Sequence, residues 1–148
     1  MISIPIVSLF CGAGGLDCGF RREGFRTILA CDNSPTAIRT FNFNAKRKVG
    51  IETDLLSLRP TQVIALLNQN APGIAPRGVI GGPPCQGFSR GNVHADPHDA
   101  RNRLPLRYAA VLKKLNEKRS IGAHRSPYLY TFDKERYDDA LKDGLVLS

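Results

Sequence analysis

The chain has 148 residues, which is enough for one ordinary domain and excludes a second hydrophobic core. Hydrophobic residues make up 42% and charged residues 23%, a balance typical of folded proteins and not of disordered ones. The 21 Lys and Arg against 13 Asp and Glu give a formal charge of +8, which excludes an acidic solvating tail and favours a polyanionic partner such as nucleic acid.

The sequence predicts neither a membrane span nor an export signal. No apolar run approaches the roughly 20 residues that a bilayer requires, and no Lys or Arg precedes the apolar segment Met1–Cys11, unlike in a signal peptide. The four cysteines, at positions 11, 18, 31 and 85, form no CxxC pair, and His94 and His98 lie in a polar, Asp-rich stretch. We therefore expect a cytoplasmic protein with reduced thiols, no metal site and no membrane partner.

Short apolar runs alternate with stretches of helical spacing along the chain. In chain order the predicted elements are strand Ile4–Phe10, helix Leu16–Glu23, strand Thr27–Ala30, helix Thr36–Asn44, strand Val49–Thr53, helix Pro60–Asn68, strand Gly78–Gly82, a polar loop Arg90–Arg103 and helix Leu104–Lys118. Gly24 is predicted to end the first helix, and Ser34 to cap the second. This alternation indicates an α/β fold with a parallel sheet covered on both faces.

Candidate functional residues follow each of the four predicted strands. They are the glycines at positions 12, 14 and 15, then Asp32, Asp54 and Cys85. Because ligands of open parallel sheets bind outside the carboxyl ends of the strands, these residues are predicted to converge on one edge of the sheet.

The segment Phe10–Leu16 reads Phe-Cys-Gly-Ala-Gly-Gly-Leu and has little side-chain bulk. A ligand can approach such a backbone closely, and the helix that follows supplies free N–H groups. The glycines do not match the GxGxxG pattern of dinucleotide-binding proteins, and the Gly-Lys-Ser/Thr of a phosphate loop is absent. The pattern is compatible with a ligand-binding turn or with a plain tight turn.

Asp32 and Cys85 each have a structural and a functional interpretation. Asp32 either caps the next helix or accepts hydrogen bonds from the two hydroxyls of a ribose; Ser34 is the better-placed cap, which favours the ribose. Cys85 lies in Gly-Gly-Pro-Pro-Cys-Gln-Gly-Phe-Ser, residues 81–89. Buried structural cysteines are commoner, but a rigid Pro-Pro-Cys-Gln turn after a strand favours a nucleophile.

Taken together, these segments resemble the DNA methyltransferases that modify carbon 5 of cytosine. The matching segments, in the order and spacing of the family, are Phe10–Leu16, Asp32, Asp54-Leu55, Gly82–Ser89 and Asp99–Lys118. The resemblance implies a Rossmann-like, S-adenosylmethionine-dependent methyltransferase fold, of which the chain carries about the first half. Residues 1–118 would bind the cofactor and carry the nucleophile, and residues 119–148 would form a shortened tail with a helix over Pro127–Lys142 and the start of a strand at Leu145–Leu147.

The resemblance also implies residue roles. Cys85 would be the nucleophile that adds to carbon 6 of a cytosine flipped out of double-stranded DNA. In the cofactor site, Asp32 would bind the ribose, Asn33 would lie beside the adenine and Asp54 would reach its amino group. The full set of expected cofactor residues is Phe10, Gly12, Ala13, Gly14, Gly15, Leu16, Asp32, Asn33, Asp54, Leu55, Pro83 and Leu104. The expected DNA contacts are Gln86, Ser89, Arg90, Arg101 and Arg103.

The sequence departs from the family after the predicted helix Leu104–Lys118. Where the family has a strand ending in Glu-Asn-Val, whose glutamate activates the cytosine, this chain has Arg119–Ala123, and neither Glu117 nor Glu135 lies in that motif. The Gln-x-Arg segment, the target-recognition region and the C-terminal wall of the cofactor pocket are also absent. Three interpretations stay open: a truncated or split DNA methyltransferase that needs a second polypeptide, an inactive S-adenosylmethionine-binding or DNA-binding module, and an RNA cytosine methyltransferase.

Overall fold

The structure is a computed structural model that describes residues 3–84 and 99–119, with side chains described as far as residue 115. The strands in these ranges are β1 (Ile4–Leu9), β2 (Phe25–Asp32), β3 (Gly50–Glu52) and β4 (Gly78–Gly81). The helices are α1 (Gly15–Arg22), α2 (Pro35–Asn44), α3 (Pro60–Asn70) and α4 (Leu104–Arg119), with a short 3-10 helix at Ala100–Arg103 before α4. The predicted α/β class is confirmed, whereas the helix and strand predicted after residue 119 lie outside the described residues.

The strands form a parallel sheet in the order β3-β2-β1-β4. Leu9, at the end of β1, pairs with Cys31 of β2 on one side and with Gly81 of β4 on the other. The chain runs outward from β1 to β3 and then returns to the opposite side of β1. This reversal makes the carboxyl end of β1 the topological switch point, where ligands of doubly wound sheets bind.

Helices cover both faces of the sheet, which explains why the strands are continuously apolar. On one face, Val7 and Leu9 pack with Val63 of α3 and Val111 of α4. On the other face, a smaller cluster joins the start of the glycine turn to β2 and α2; its members are Cys11, Ala30, Ile38 and Phe41. A strand buried on both faces loses the alternation of apolar and polar residues.

The predicted helix ends agree with the observed caps. Ser34 is the N-cap of α2, and its hydroxyl accepts a hydrogen bond from the Ala37 amide at 3.3 Å. Gly24, just after the C-cap Glu23, has a φ of 84°, a left-handed conformation that suits glycine.

Several predicted bounds were wrong by one or two residues. Strand β2 runs over Phe25–Asp32, not Thr27–Ala30, because Phe25 and Arg26 pair with the first residues of β1 and its last two residues pair with β3. The polar segment predicted as a loop ends in the 3-10 helix Ala100–Arg103, which the carboxylate of Asp99 caps by accepting the Arg101 amide at 2.8 Å.

Candidate functional site

The turn after β1 is built from backbone conformations that most residues avoid. Phe10 has a φ of 57°, Gly12 of 53° and Gly14 of 91°. A left-handed conformation costs a residue with a side chain about 1 kcal/mol. Phe10 bears this strain, whereas glycine at positions 12 and 14 avoids it. The Gly14 amide donates to the Cys11 carbonyl at 3.0 Å, and Gly14 is the N-cap of α1. The turn thus reverses the chain from the end of β1 into α1.

The three glycines of this turn have different surroundings. A Cβ on Gly14 would lie 2.8 Å from Cδ2 of Phe41, so Gly14 lets the turn pack closely against α2. Among the described residues, a Cβ on Gly12 or Gly15 would meet no atom within 4 Å. The backbone at these two positions therefore leaves room for a ligand, as the ligand-binding interpretation of the turn requires.

Asp32 joins the end of β2 to the glycine turn. One carboxylate oxygen accepts the Gly12 amide at 2.8 Å, and the other accepts the Ser34 amide at 2.9 Å. Each carboxylate oxygen can accept a second hydrogen bond, so the half-buried side chain keeps capacity for two hydroxyl donors. Asn33, next to it, is exposed. The side chain that caps α2 is thus that of Ser34, and the Asp32 carboxylate holds the glycine turn.

The residues after β3 lie next to Asp32. The Thr53 amide donates to the Asp32 carbonyl at 2.8 Å. One carboxylate oxygen of the exposed Asp54 accepts the Leu56 amide at 2.9 Å, which forms a local turn. Leu55 is 5% exposed and belongs to the core. The glycine turn, Asp32 and Asp54 therefore share the carboxyl edge of the sheet, as predicted.

The end of β4 is fixed between β1 and α4. The Tyr108 hydroxyl donates to the Val79 carbonyl at 3.0 Å, and burial raises the pKa of Tyr108. Leu104, 6% exposed, packs in the core on the same side of the sheet. After Gly81 the chain continues through the half-buried Pro83 towards the predicted nucleophile. Cys85, Gln86, Ser89 and Arg90 lie outside the described residues.

Arg101 and Arg103, the predicted DNA contacts within the described residues, are both exposed. The Arg101 guanidinium forms an ion pair with Asp99 at 2.6 Å. Hydrogen bonds from Arg101 hold the pKa of the Asp99 carboxyl below its usual value. The Arg101 side chain is 50% exposed, so water screens the pair and it adds little stability.

Asp17 is a residue of this region that the sequence analysis missed. It is 7% exposed, in the first turn of α1. Its carboxylate accepts the Ser8 hydroxyl of β1 at 2.8 Å and the Thr27 hydroxyl of β2 at 2.6 Å. These hydrogen bonds hold α1, and with it the glycine turn, against both strands. The hydroxyl residues in otherwise apolar strands were the available signal, since a buried hydroxyl requires a polar partner.

Two buried thiols flank the same edge. Burial, with a smaller contribution from the carboxylate of Asp32, raises the pKa of Cys11 to about 12 and that of Cys31 to about 12. At neutral pH such a pKa leaves roughly one thiol in 10⁵ as the reactive thiolate. These two cysteines therefore have a structural role.

Native Cys11 and Cys31 should accordingly resist iodoacetamide at neutral pH, while both are modified in urea, where the burial that raises their pKa is lost. Peptide mapping by mass spectrometry measures each site separately, and the half-exposed Cys18 is the comparison within the same sample. Rapid labelling of Cys31 in the folded chain would contradict the burial seen here.

The described residues support neither a metal site nor a membrane-spanning helix. Within residues 3–84 and 99–119, His, Cys, Asp and Glu form no group of three that could hold a metal ion. Every helix in the same ranges is too short or too polar to span a bilayer.

Comparison with known proteins identifies the chain's relatives. The sequence model of a family described as C-5 cytosine-specific DNA methylase matches residues 4–119. Type II methyltransferase M.FnuDI of Fusobacterium nucleatum is 33% identical over 140 residues, which cover 95% of this chain and 38% of the relative. Type II methyltransferase M.AquIA of Picosynechococcus sp. is 35% identical over 109 residues, which cover 74% of this chain and 43% of the relative.

Solved structures show the same relationship. A prophage-encoded E. coli protein described as a DNA modification methyltransferase superposes with a TM-score of 0.63 at 31% identity, covering 77% of this chain and 30% of that one. Spodoptera frugiperda DNMT2 gives a TM-score of 0.53 at 26% identity, over 77% of this chain and 33% of that one. The chain thus spans less than half the length of these relatives. Its fold is that of the first part of a methyltransferase domain, and the chain belongs to the C-5 cytosine-specific DNA methylase family.

Proposed function

We propose that this chain forms the cofactor-binding and nucleophile-bearing part of an enzyme that methylates carbon 5 of cytosine in DNA, with S-adenosylmethionine as the methyl donor. The observation that carries the proposal is the hydrogen bond from the Gly12 amide to the Asp32 carboxylate. It brings an acid at the end of β2 to an open glycine turn at the switch point of the sheet, in a chain whose relatives are named as methyltransferases.

The residues on this edge fit S-adenosylmethionine. The turn of Phe10, Gly12, Ala13, Gly14, Gly15 and Leu16 would hold its methionine part, because the backbone is open at Gly12 and Gly15. Asp32 would accept the two ribose hydroxyls, with Asn33 beside the adenine and Asp54 near its amino group. Pro83 would contribute apolar surface to the site, whereas Leu55 and Leu104, 5% and 6% exposed, would support it from the core. When bound, S-adenosylmethionine supplies an electrophilic methyl group.

In this proposal Cys85 is the nucleophile. Its thiolate adds to carbon 6 of cytosine, which forms a sulfur–carbon bond and moves the electron pair of the C5–C6 double bond to carbon 5. Carbon 5 would then bond to the methyl group as the bond from that group to the sulfonium sulfur breaks, which would leave S-adenosylhomocysteine. Transfer of the proton from carbon 5 to a base, with re-formation of the C5–C6 double bond and release of the thiolate, would restore the ring. The thiolate is the reactive form, so neighbouring cations that lower the pKa of Cys85 would assist the reaction.

Double-stranded DNA is the proposed substrate. The target cytosine must leave the helix to reach Cys85, and Gln86, Ser89, Arg90, Arg101 and Arg103 would contact the DNA around it. The net charge of +8 supports a polyanionic partner. The glutamate of a Glu-Asn-Val motif and a target-recognition region, which these 148 residues do not contain, would come from further sequence or from a second polypeptide.

The cofactor site can be tested by a thermodynamic cycle in which Asp32 and one hydroxyl of the ligand are removed separately and together. Calorimetry measures the affinity of S-adenosylmethionine and of its 2′-deoxyribose analogue for the chain and for Asp32→Ala. Affinity for S-adenosylmethionine should be weak, because these residues supply one side of the pocket. The analogue should bind the parent chain about 10-fold more weakly than S-adenosylmethionine, the range of a hydrogen bond to a charged group. Asp32→Ala should weaken S-adenosylmethionine by more than that, because both ribose hydroxyls lose their acceptor, and the analogue should then bind Asp32→Ala about as well as S-adenosylmethionine does.

Glu52→Ala is the matched control, because Glu52 is an exposed acid on the neighbouring strand β3. It should leave both affinities unchanged. If Asp32→Ala weakened the two ligands by the same factor, Asp32 would act on the turn and not on the ribose. If the chain bound neither ligand at millimolar concentration, the proposed cofactor site would be wrong.

A further inference from the structure

The ends of α1 and α2 carry a group of exposed cations that the proposed site does not use. Arg21 and Arg22 end α1, and Lys46, Arg47 and Lys48 follow the end of α2. One guanidinium nitrogen of Arg21 donates to the Asn44 carbonyl at 3.4 Å, which places the two helix ends side by side. We call the surface formed by these five cations and the exposed Phe43 the helix-end patch.

Acidic side chains do not neutralise the helix-end patch. Within the described part of the chain, none of its cations lies within ion-pair distance of a carboxylate, whereas the exposed Arg101 is paired with Asp99. The nearest acid in the sequence is Glu23, which is exposed and follows Arg22 directly. The positive charge of the patch is therefore available to an anionic partner.

Phe43 distinguishes the patch from an ordinary solvated surface. Its side chain is 89% exposed, although Phe41, on the same helix, is 4% exposed and packs in the core. The other exposed large hydrophobic residues in the described ranges, such as Leu16 at 49%, are about half as accessible. Phe43 lies three residues before Lys46 in the sequence. Because the bases of a duplex are stacked inside it, the cations of the patch would bind phosphates and the ring would pack against a deoxyribose.

The patch lies away from the cofactor edge. Helices α1 and α2 both begin at that edge, after the glycine turn and after Asp32, and run away from it. With a rise of 1.5 Å per residue, their far ends lie about 12 and 15 Å from where they begin. A partner bound at the patch would thus leave the glycine turn and Asp32 free.

We propose that the helix-end patch binds the sugar–phosphate backbone of DNA, without regard to sequence, as a second contact outside the catalytic cleft. This inference rests on the proposed action on DNA, because the same charges suit other polyanions. Its effect is to hold the chain on DNA and not to select a target, since phosphate contacts carry no direct sequence information.

Two triple variants that lose the same charge test the proposal. The first is Lys46→Gln/Arg47→Gln/Lys48→Gln, within the patch. The second is Arg59→Gln/Arg77→Gln/Lys113→Gln, three exposed cations outside it. Fluorescence anisotropy with a random-sequence DNA duplex gives Kd at several salt concentrations. The patch variant should bind at least 10-fold more weakly, with a slope of log Kd against log salt reduced by about 2 to 3, while the control variant stays close to the parent chain.

Phe43→Ser should weaken binding several-fold and leave the salt slope unchanged, because it removes no charge. Equal losses in the two triple variants would overturn the proposal, since net charge alone would then explain binding. A patch variant that loses binding to phosphatidylserine vesicles but not to DNA would also overturn the proposal.

Affinity for S-adenosylmethionine, measured in parallel, should not change in the patch variant. If the calorimetry on Asp32→Ala contradicted the cofactor site while the patch variant still bound DNA more weakly, only the proposed cofactor site would be refuted.

Discussion

Gly81→Ala is expected to destabilise the folded chain by about 3 kcal/mol. A Cβ at this position would collide with the carbonyl oxygen of Leu9 and lie 3.2 Å from Cε2 of Tyr108. The first contact is with the backbone of the paired strand, which cannot rotate away as a side chain can. Strands β1 and β4 would have to separate where they pair, and the segment leading to Cys85 would move with them.

Gly82→Ala is the control for this prediction. Gly82 is the next residue, and a Cβ there would meet no atom of residues 3–84 and 99–119 within 4 Å. Its free energy of unfolding should stay within about 0.5 kcal/mol of the parent value. Urea unfolding followed by circular dichroism measures both variants. Equal stability of the two would show that β4 does not approach β1 as closely as described.

The second large effect concerns catalysis: these 148 residues alone should transfer little or no methyl group to DNA. In the proposed reaction, attack of Cys85 on carbon 6 would push negative charge towards N3 of the ring. The resemblance to the family implies that the glutamate of Glu-Asn-Val assists there, and no Glu-Asn-Val occurs in this sequence. General acid–base assistance of this kind contributes roughly 10²- to 10⁴-fold in rate. In the proposed enzyme, the cofactor pocket and the DNA-binding surface extend beyond these 148 residues, so an assay of the 148 residues alone should show a still lower rate, although these losses need not add.

Two measurements test this prediction. Transfer of a tritiated methyl group to DNA follows turnover, and trapping on DNA that contains 5-fluorocytosine follows adduct formation by Cys85. A polypeptide that carries Glu-Asn-Val and a recognition region should restore both, and Cys85→Ser should remove what is restored. Robust transfer by the 148 residues alone, abolished by Cys85→Ser, would show that the glutamate is not required here.

The sequence predicted most of the fold because burial on both faces leaves continuous apolar strands, and because capping residues mark the helices. It also placed Asp32 and Asp54 on one edge, since parallel strands end together. The role of Asp17 could not be predicted, because its partners Ser8 and Thr27 come from two strands whose register the sequence does not give. The same limit applies to the start of β2, which depends on pairing with β1.

The glycines show a further limit. Gly14 and Gly81 are required by neighbours that are distant in sequence, Phe41 and Leu9, whereas Gly12 and Gly15 border open space. The amino-acid sequence alone does not distinguish these four glycines from one another. The space around each glycine depends on tertiary packing. Only the structure therefore shows which glycines allow close packing and which have room for a ligand beside them.

The strand order has a consequence for synthesis on the ribosome. Ile6 pairs with Gly78, so the second neighbour of β1 emerges about 70 residues after β1 itself. During that interval β1, with Ile6, Val7 and Leu9 almost fully buried in the finished sheet, is an open apolar edge that other chains can join. This edge of β1 therefore stays unpaired in the nascent chain until β4 appears, and slow translation between α3 and β4 would lengthen the time for which the edge can aggregate.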